Sequence, residues 1–200
     1  MYYLQDVGMN LSDLLANHRK LTKNITSDDK LKYQQLADGQ QPIAMLITCV
    51  DSRIMPEQLL GLEPGQLFCL RNIASLVSRQ GTDSSTESAI QYAVNHLGIK
   101  NIIVMGHSNC GGINALVNNA GDGAIDAWLQ HWRQSAQNWL NTPHEETQCF
   151  CQKQAVLESM QNIQDMDFIS DEINILGWHL DIGNAQISAY DLKENKFLTI

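Results

Sequence analysis

The sequence predicts an α/β fold with a mainly parallel central sheet flanked by helices, an antiparallel C-terminal edge and an N-terminal helical arm. Three observations predict it. The continuous apolar runs IAMLIT (43–48) and NIIVMG (101–106) read as strands buried on both faces. Segments of helical periodicity fall between such runs, and strands alternating with helices argue for a parallel sheet. The end of the chain is β-like, with turn residues between short segments.

Residues 9–36 place Leu11, Leu14, Leu15 and Leu21 at helical spacing, so an arm over 1–36 forms one or two amphipathic helices. After the first strand, Pro56 suits the first turn of a helix over 56–61. QLFCL (66–70) reads as the second strand. Thr82, Asp83 and Ser84 offer N-caps for a helix over 84–97, which Gly98 closes. Residues 101–106 form the third strand, and Gly111–Gly112 opens another helix. Further helices fall near 124–140 and 151–164. Gly183 and Lys193–Asn195 separate strands at 173–180, 185–191 and 196–200. No internal repeat or Pro/Gly-rich linker interrupts the chain, so one domain over 1–200 is expected.

The chain has 200 residues, 44% hydrophobic and 18% charged, with a formal net charge of −9. No Lys/Arg cluster offsets that charge, which argues against a nucleic-acid or anionic-membrane partner. No stretch approaches the ~20 apolar residues of a membrane span, and the N-terminus lacks a basic start followed by an apolar core. A soluble, cytoplasmic protein is expected. The five cysteines are Cys49, Cys69, Cys110, Cys149 and Cys151. An odd number in such a chain points to thiolate chemistry or buried thiols rather than a disulfide framework.

Two polar clusters follow the two most apolar strands: Cys49-Val50-Asp51-Ser52-Arg53 and His107-Ser108-Asn109-Cys110-Gly111-Gly112. Ligands in open α/β sheets bind beyond the carboxyl ends of the strands, so the clusters can converge. Together they offer two thiolates, an imidazole and a carboxylate, a set suited to tetrahedral Zn²⁺, although cadmium or cobalt also fits. His107 and Cys110 lie three apart at a strand-to-helix turn. Cys49, Asp51 and Arg53 share a face in extended backbone, where Arg53 can hold the Asp51 carboxylate in a bidentate pair. Either motif alone would read as accidental: a small buried cysteine or an ordinary ion pair. Their joint placement at strand ends is what points to a metal. Cys69 reads as an apolar filler within a strand, and Cys149-x-Cys151 is weak as a site. His18, His131, His144 and His179 have no matching ligand cluster. Trp128, Trp132 and Trp139 recur near helical spacing, as packing or subunit-contact residues do.

CVDSR followed by HSNCGG resembles the β-class carbonic anhydrase family, whose motifs are Cys-x-Asp-x-Arg and His-x-x-Cys. The likeness continues through EPGQLFCLRNIASLV (63–77), SAIQYAVNHLGIKNIIVMGHSNCGG (88–112) and GWHLDI (177–182), roughly residues 38–190. Val50 departs from the family, which usually has a small residue there. The resemblance implies zinc-dependent, reversible hydration of carbon dioxide to bicarbonate and a proton. Zinc sits on Cys49, His107 and Cys110, and the Asp51–Arg53 dyad orients the hydroxide that attacks carbon dioxide. In a closed state Asp51 is itself a fourth ligand.

It further implies a substrate pocket with Gln40, Phe68, Tyr92 and the Gly111 N–H, a proton relay at His96, and a homodimer or tetramer. Core packing for the two aromatic residues, a solvated loop for Gln40 and a surface role for His96 remain open. A second branch of the family binds inhibitory bicarbonate through a Trp and a Tyr where this chain has Leu46 and Leu180. The resemblance therefore places the chain in the open, plant-like branch. Two other readings compete: a zinc hydrolase of the same fold acting on CS₂ or COS, and a non-catalytic zinc-binding protein. Asp51 and Arg53 argue against the latter, because a structural site is normally closed by four protein ligands.

Overall fold

Asn10 and Thr26 each begin a helix in the same way. The Asn10 carboxamide accepts the backbone N–H groups of Ser12 (2.8 Å) and Asp13 (3.3 Å), while the Asp13 carboxylate accepts the N–H of Asn10. Thr26 and Asp29 repeat the exchange. Such reciprocal caps satisfy donors that a helix start otherwise leaves unpaired. They open α1 (Leu11–Lys23) and α2 (Ser27–Asp38). The computed structural model describes residues 10–142 and 147–200; His144 lies outside them. The chain divides into two compact units, the first ending at Gln40 and the second spanning Gln41–Ile200. The first carries the two helices. The leucines that mark α1 in the sequence are exposed there.

The second unit is built on six strands: β1 (Ala44–Cys49), β2 (Leu67–Asn72), β3 (Asn101–His107), β4 (Asn174–Asp181), β5 (Gln186–Asp191) and β6 (Lys196–Thr199). Their order is β2-β1-β3-β4-β5-β6. The first four are parallel and the last two antiparallel. All six residues of β1 are buried. Leu46 packs in one core cluster with Met105, Leu129 and Trp132, whereas Met45 and Ile47 pack in another with Ile90, Ile102 and Val104. An apolar run without alternation is what burial on both faces requires.

The helices are α3 (Pro56–Leu60), α4 (Ser84–Asn95), α5 (Gly111–Val117), α6 (Gly123–Leu129), α7 (Arg133–Leu140) and α8 (Thr147–Gln164). The helix expected near 124–140 is two, joined by a 3₁₀ turn at Gln130–Trp132. That turn carries the Trp132 indole into the core, where it donates to the Ser78 hydroxyl (3.2 Å) and packs 6.2 Å from the Trp139 ring. Helix α8 begins before the expected residue 151. Helix α4 ends at Asn95, with His96 as its cap and Gly98 at φ +66° beyond it. Among the described residues, no helix is long and apolar enough to cross a membrane.

Candidate metal centre

Parallel pairing of β1 with β2 and β3 brings the carboxyl ends of these strands to one side. Cys49 is the last residue of β1 and His107 the last of β3. The turn after β3 places Cys110 as the cap of α5. The ligand atoms of Cys49, His107 and Cys110 lie within 4.8 Å of one another, and all three residues are buried.

The imidazole is set for coordination. His107 Nδ1 lies 2.9 Å from the Ser108 carbonyl oxygen, which can only accept, so Nδ1 carries the proton. Nε2 is then left with its lone pair, and it is buried with no hydrogen-bond partner. A buried nitrogen in that state costs free energy unless something fills the position. The two sulfurs behave as a pair with one proton. Cys49 is pushed below the ordinary thiol range, chiefly by the hydrogen bond from Cys110. Its sulfur also accepts the Ala74 N–H at 3.4 Å. Cys110 is pushed up by its bond to the Cys49 sulfur and by burial. A thiolate, a second sulfur whose proton a cation would displace and an imidazole nitrogen with a free lone pair fit a divalent ion of the zinc type.

The carboxylate stands apart from this trio. Arg53 donates to Asp51 from Nε (2.8 Å) and from its terminal nitrogen (2.6 Å), the bidentate pair expected from the sequence. The Arg53 backbone N–H adds a third bond at 3.0 Å. The side-chain bonds hold the Asp51 carboxyl well below the usual carboxylate range. Arg53 also reaches the Asn109 carbonyl at 3.1 Å, tying the two ligand-bearing loops together. Arg53 also lines a cavity of about 490 Å³, together with Met55, Gln58, Leu180 and Ile182 among others.

Several supporting residues carried no signal in the sequence. Arg71 donates to the carbonyls of Cys49 (3.0 Å) and Asp51 (2.8 Å). Ala74 (φ +68°) and Ser75 (φ +60°) are consecutive non-glycine residues in left-handed conformation. This turn is anchored by Trp128 donating to the Ile73 carbonyl (3.0 Å) and by Ser75 donating to the Met105 carbonyl (2.9 Å). It aims the Ala74 N–H at Cys49. Gly112 is required by the same turn, because a Cβ there would meet Ile73 Cγ2 at 2.6 Å and Ala74 Cβ at 2.9 Å. Main-chain partners and strained turns leave no residue-type pattern, so only three-dimensional placement reveals them.

The remaining expected residues are dispersed. Gly111 is the first residue of α5 and is exposed. Phe68 and Tyr92 pack together with ring centres 6.1 Å apart, and Tyr92 stacks on His96 at 5.1 Å. Phe68 pairs with Met45, four positions before Cys49 pairs with Asn72. That offset is roughly 13 Å along the strand, so the aromatic group does not join the metal trio within one chain. Gln40 is exposed at the end of the first unit. The Cys69 thiol is raised to about 11, chiefly by burial. Cys151 is fully buried. Neither Cys149 nor Cys151 joins a three-ligand cluster among the described residues.

The carbonic anhydrase family profile matches residues 44–187. The chain is 34% identical over 180 residues to mitochondrial beta carbonic anhydrase 6 of Arabidopsis thaliana, covering 82% of this chain and 62% of that protein. It is 34% identical to chloroplastic beta carbonic anhydrase 5 of the same plant, covering 73% and 52%. The chain thus spans less than two thirds of the length of these curated relatives. Among solved structures, the beta-carbonic anhydrase CcaA superposes with a TM-score of 0.87 at 26% identity, over 94% of this chain and 91% of that one. The beta-carbonic anhydrase CafA of Aspergillus fumigatus gives 0.78 at 28%, over 90% of each chain. A Sordaria macrospora beta-carbonic anhydrase described as tetrameric gives 0.73 at 28%, over 89% and 92%. Motifs, sheet order, ligand geometry and these likenesses agree: the chain belongs to the β-class carbonic anhydrase family.

Proposed function

We propose that this chain is a carbonic anhydrase, hydrating carbon dioxide reversibly to bicarbonate and a proton with zinc held by Cys49, His107 and Cys110. The observation that carries this reading is the buried, unpartnered His107 Nε2 facing two sulfurs, with the Asp51–Arg53 pair beside it and outside the ligand set. Zinc, when bound, supplies Lewis acidity that makes hydroxide available near neutrality.

The chain's own residues do the rest. Arg53 engages both Asp51 oxygens, keeping the carboxylate available as an acceptor that orients the attacking oxygen and away from the metal position. This is the open arrangement of the plant-like branch. The Gly111 N–H would hold a bicarbonate oxygen. Proton export falls to His96, an exposed histidine that stacks on Tyr92 and so, like it, serves the site of a second copy. Phe68, Tyr92 and Gln40 would line substrate only where a second copy presents them, given the offset of Phe68 from its own chain's ligands. A homodimer or tetramer supplies that copy, and the exposed leucine face of α1 supports self-association. The five unpaired cysteines support a reducing compartment such as the cytosol.

With zinc held by Cys49, His107 and Cys110, two thiolates would cancel its formal charge and water would be acidified less than by three neutral imidazoles. Activity therefore rises towards alkaline pH. Stopped-flow carbon dioxide hydration from pH 6 to 9, with metal content measured on the same sample, tests both points. Stoichiometric zinc and a rising kcat are expected. A metal-free, inactive protein overturns the function; a kcat flat down to pH 6 overturns the charge argument. Substituting carbon disulfide for carbon dioxide in the same assay separates the hydrolase alternative.

A further inference from the structure

Behind the metal trio lies a polar group that the proposed reaction does not use. Gln152 projects from α8 and His179 from β4; they are 3% and 5% exposed. The Gln152 carboxamide meets three groups: His179 Nε2 at 3.0 Å, the His107 carbonyl at 3.1 Å and the Asn109 N–H at 3.2 Å. The carbonyl can only accept and the N–H can only donate, which fixes the amide. Its NH₂ faces His107 and His179, and its oxygen faces Asn109. The opposite orientation would set acceptor against acceptor and donor against donor. His179 Nε2 is consequently an acceptor, with its proton on Nδ1.

The segment held in this way is His107-Ser108-Asn109, which leads from one ligand to the other. Asn109 sits at φ +55°, a left-handed conformation that asparagine tolerates better than other non-glycine residues and that a bond to its N–H can hold in place. Ser108 is held from the other side. Its N–H donates to the Leu180 carbonyl (2.8 Å), and its hydroxyl donates to Asp181 (3.2 Å) and accepts the Ile182 N–H (2.9 Å). Arg53 takes the Asn109 carbonyl. Among the described residues, Gln152 touches this segment at two backbone groups through one side chain, without a charge and inside the core.

We propose that Gln152, oriented by His179, is a positioning residue for the metal centre: its carboxamide imposes the turn that lets His107 Nε2 and Cys110 Sγ converge with Cys49 Sγ. This rests on reading that trio as the metal site. Groups bonded to the backbone or second nitrogen of a ligand set its orientation, and losing one typically weakens metal binding 10–100-fold. Gln152 is that kind of group, reached through the main chain of the ligand-bearing turn.

The test compares Gln152→Met, which keeps the volume and removes the amide, with Ser159→Ala. Ser159 lies on the same helix and its hydroxyl accepts the Val77 N–H (3.1 Å), so Ser159→Ala removes a buried hydrogen bond with no link to the turn. Metal affinity is measured by zinc competition with a chromophoric chelator, and site symmetry by the visible spectrum of the cobalt-loaded protein. Gln152→Met is expected to bind zinc 10–100-fold more weakly with an altered cobalt spectrum, while Ser159→Ala keeps both. Wild-type affinity and spectrum in Gln152→Met overturn the proposal, as does an equal loss in both variants. A wild-type protein that binds no zinc removes the metal-centre reading as well, which separates the two failures. Hydrogen exchange in the metal-free wild type needs no variant to fold: the Asn109 amide is expected to be protected, and exchange at the rate of an open loop overturns the proposal.

Discussion

Arg53 meets Asp51 through two side-chain bonds and Asn109 through a third, so Arg53→Ala frees the carboxylate and unties the two loops at once. A released Asp51 can turn to the metal position. A fall in kcat/KM on the order of 100-fold is expected, with zinc content unchanged; a value equal to wild type would remove the dyad from the mechanism. His179 makes a different prediction. Burial, followed by the nearby Lys153 charge, pushes its imidazole down to about 4, against a weaker opposing pull from Asp181. It is also enclosed by Gln152 of α8 and the Phe197 ring of β6. The unfolded chain binds a proton near pH 6.5 that the folded one refuses until about 4. Stability should therefore fall across that window as the pH drops, by roughly 3 kcal/mol. Urea unfolding of wild type and His179→Gln between pH 7 and 4 checks this, and a difference that does not vary with pH would sink it. The three candidate ligands were legible because Cys and His at strand ends are rare residue types in rare places. Arg71 and Gln152 were not, since their partners are backbone groups far away in sequence.

Among the elements, the strands read clearly. An unbroken apolar run as short as 43–48 suits a strand covered on both faces better than a helix, and the observed β1 runs one residue further, to Cys49. Helix breaks read poorly. Nothing in the periodicity of 124–140 announces the 3₁₀ turn, because the Trp132 indole seeks Ser78, a residue more than fifty positions away. Helix α8 shows why its inner face was hard to see: Gln152, Ser159 and Asn162 are buried polar residues on it. Asn162 donates to the Val77 carbonyl (2.8 Å), and Ser159 accepts the Val77 N–H. The contact between α5 and the turn after β2 is equally specific. Gly112→Ala must displace Ile73 or Ala74. A loss of about 1–3 kcal/mol is expected in urea unfolding, and an unchanged midpoint would show that the turn yields freely.

For the molecule as a whole, the proposed self-association predicts a role for the surface of the arm. Leu11, Leu14, Leu15 and Leu21 are each more than half exposed, and α1 has no buried residue. Leu11→Asp with Leu15→Asp should shift sedimentation towards the monomer; an unchanged profile would place the interface elsewhere. The fold class was readable because it follows from the alternation of elements, whereas the number of copies depends on a surface whose partner the sequence does not display. The seat of α8 has a consequence of its own. The methyl groups of Val156 approach Gly106 and Gly177 so closely that a Cβ at either would fall 2.8 or 3.0 Å away. Gln152 stands one helical turn before Val156 on that same side. Two missing side chains thus act as a depth stop, letting the helix sink until a short carboxamide can grip a loop it would otherwise fall short of. The grip on the ligand turn is set by bare backbone in the neighbouring strands.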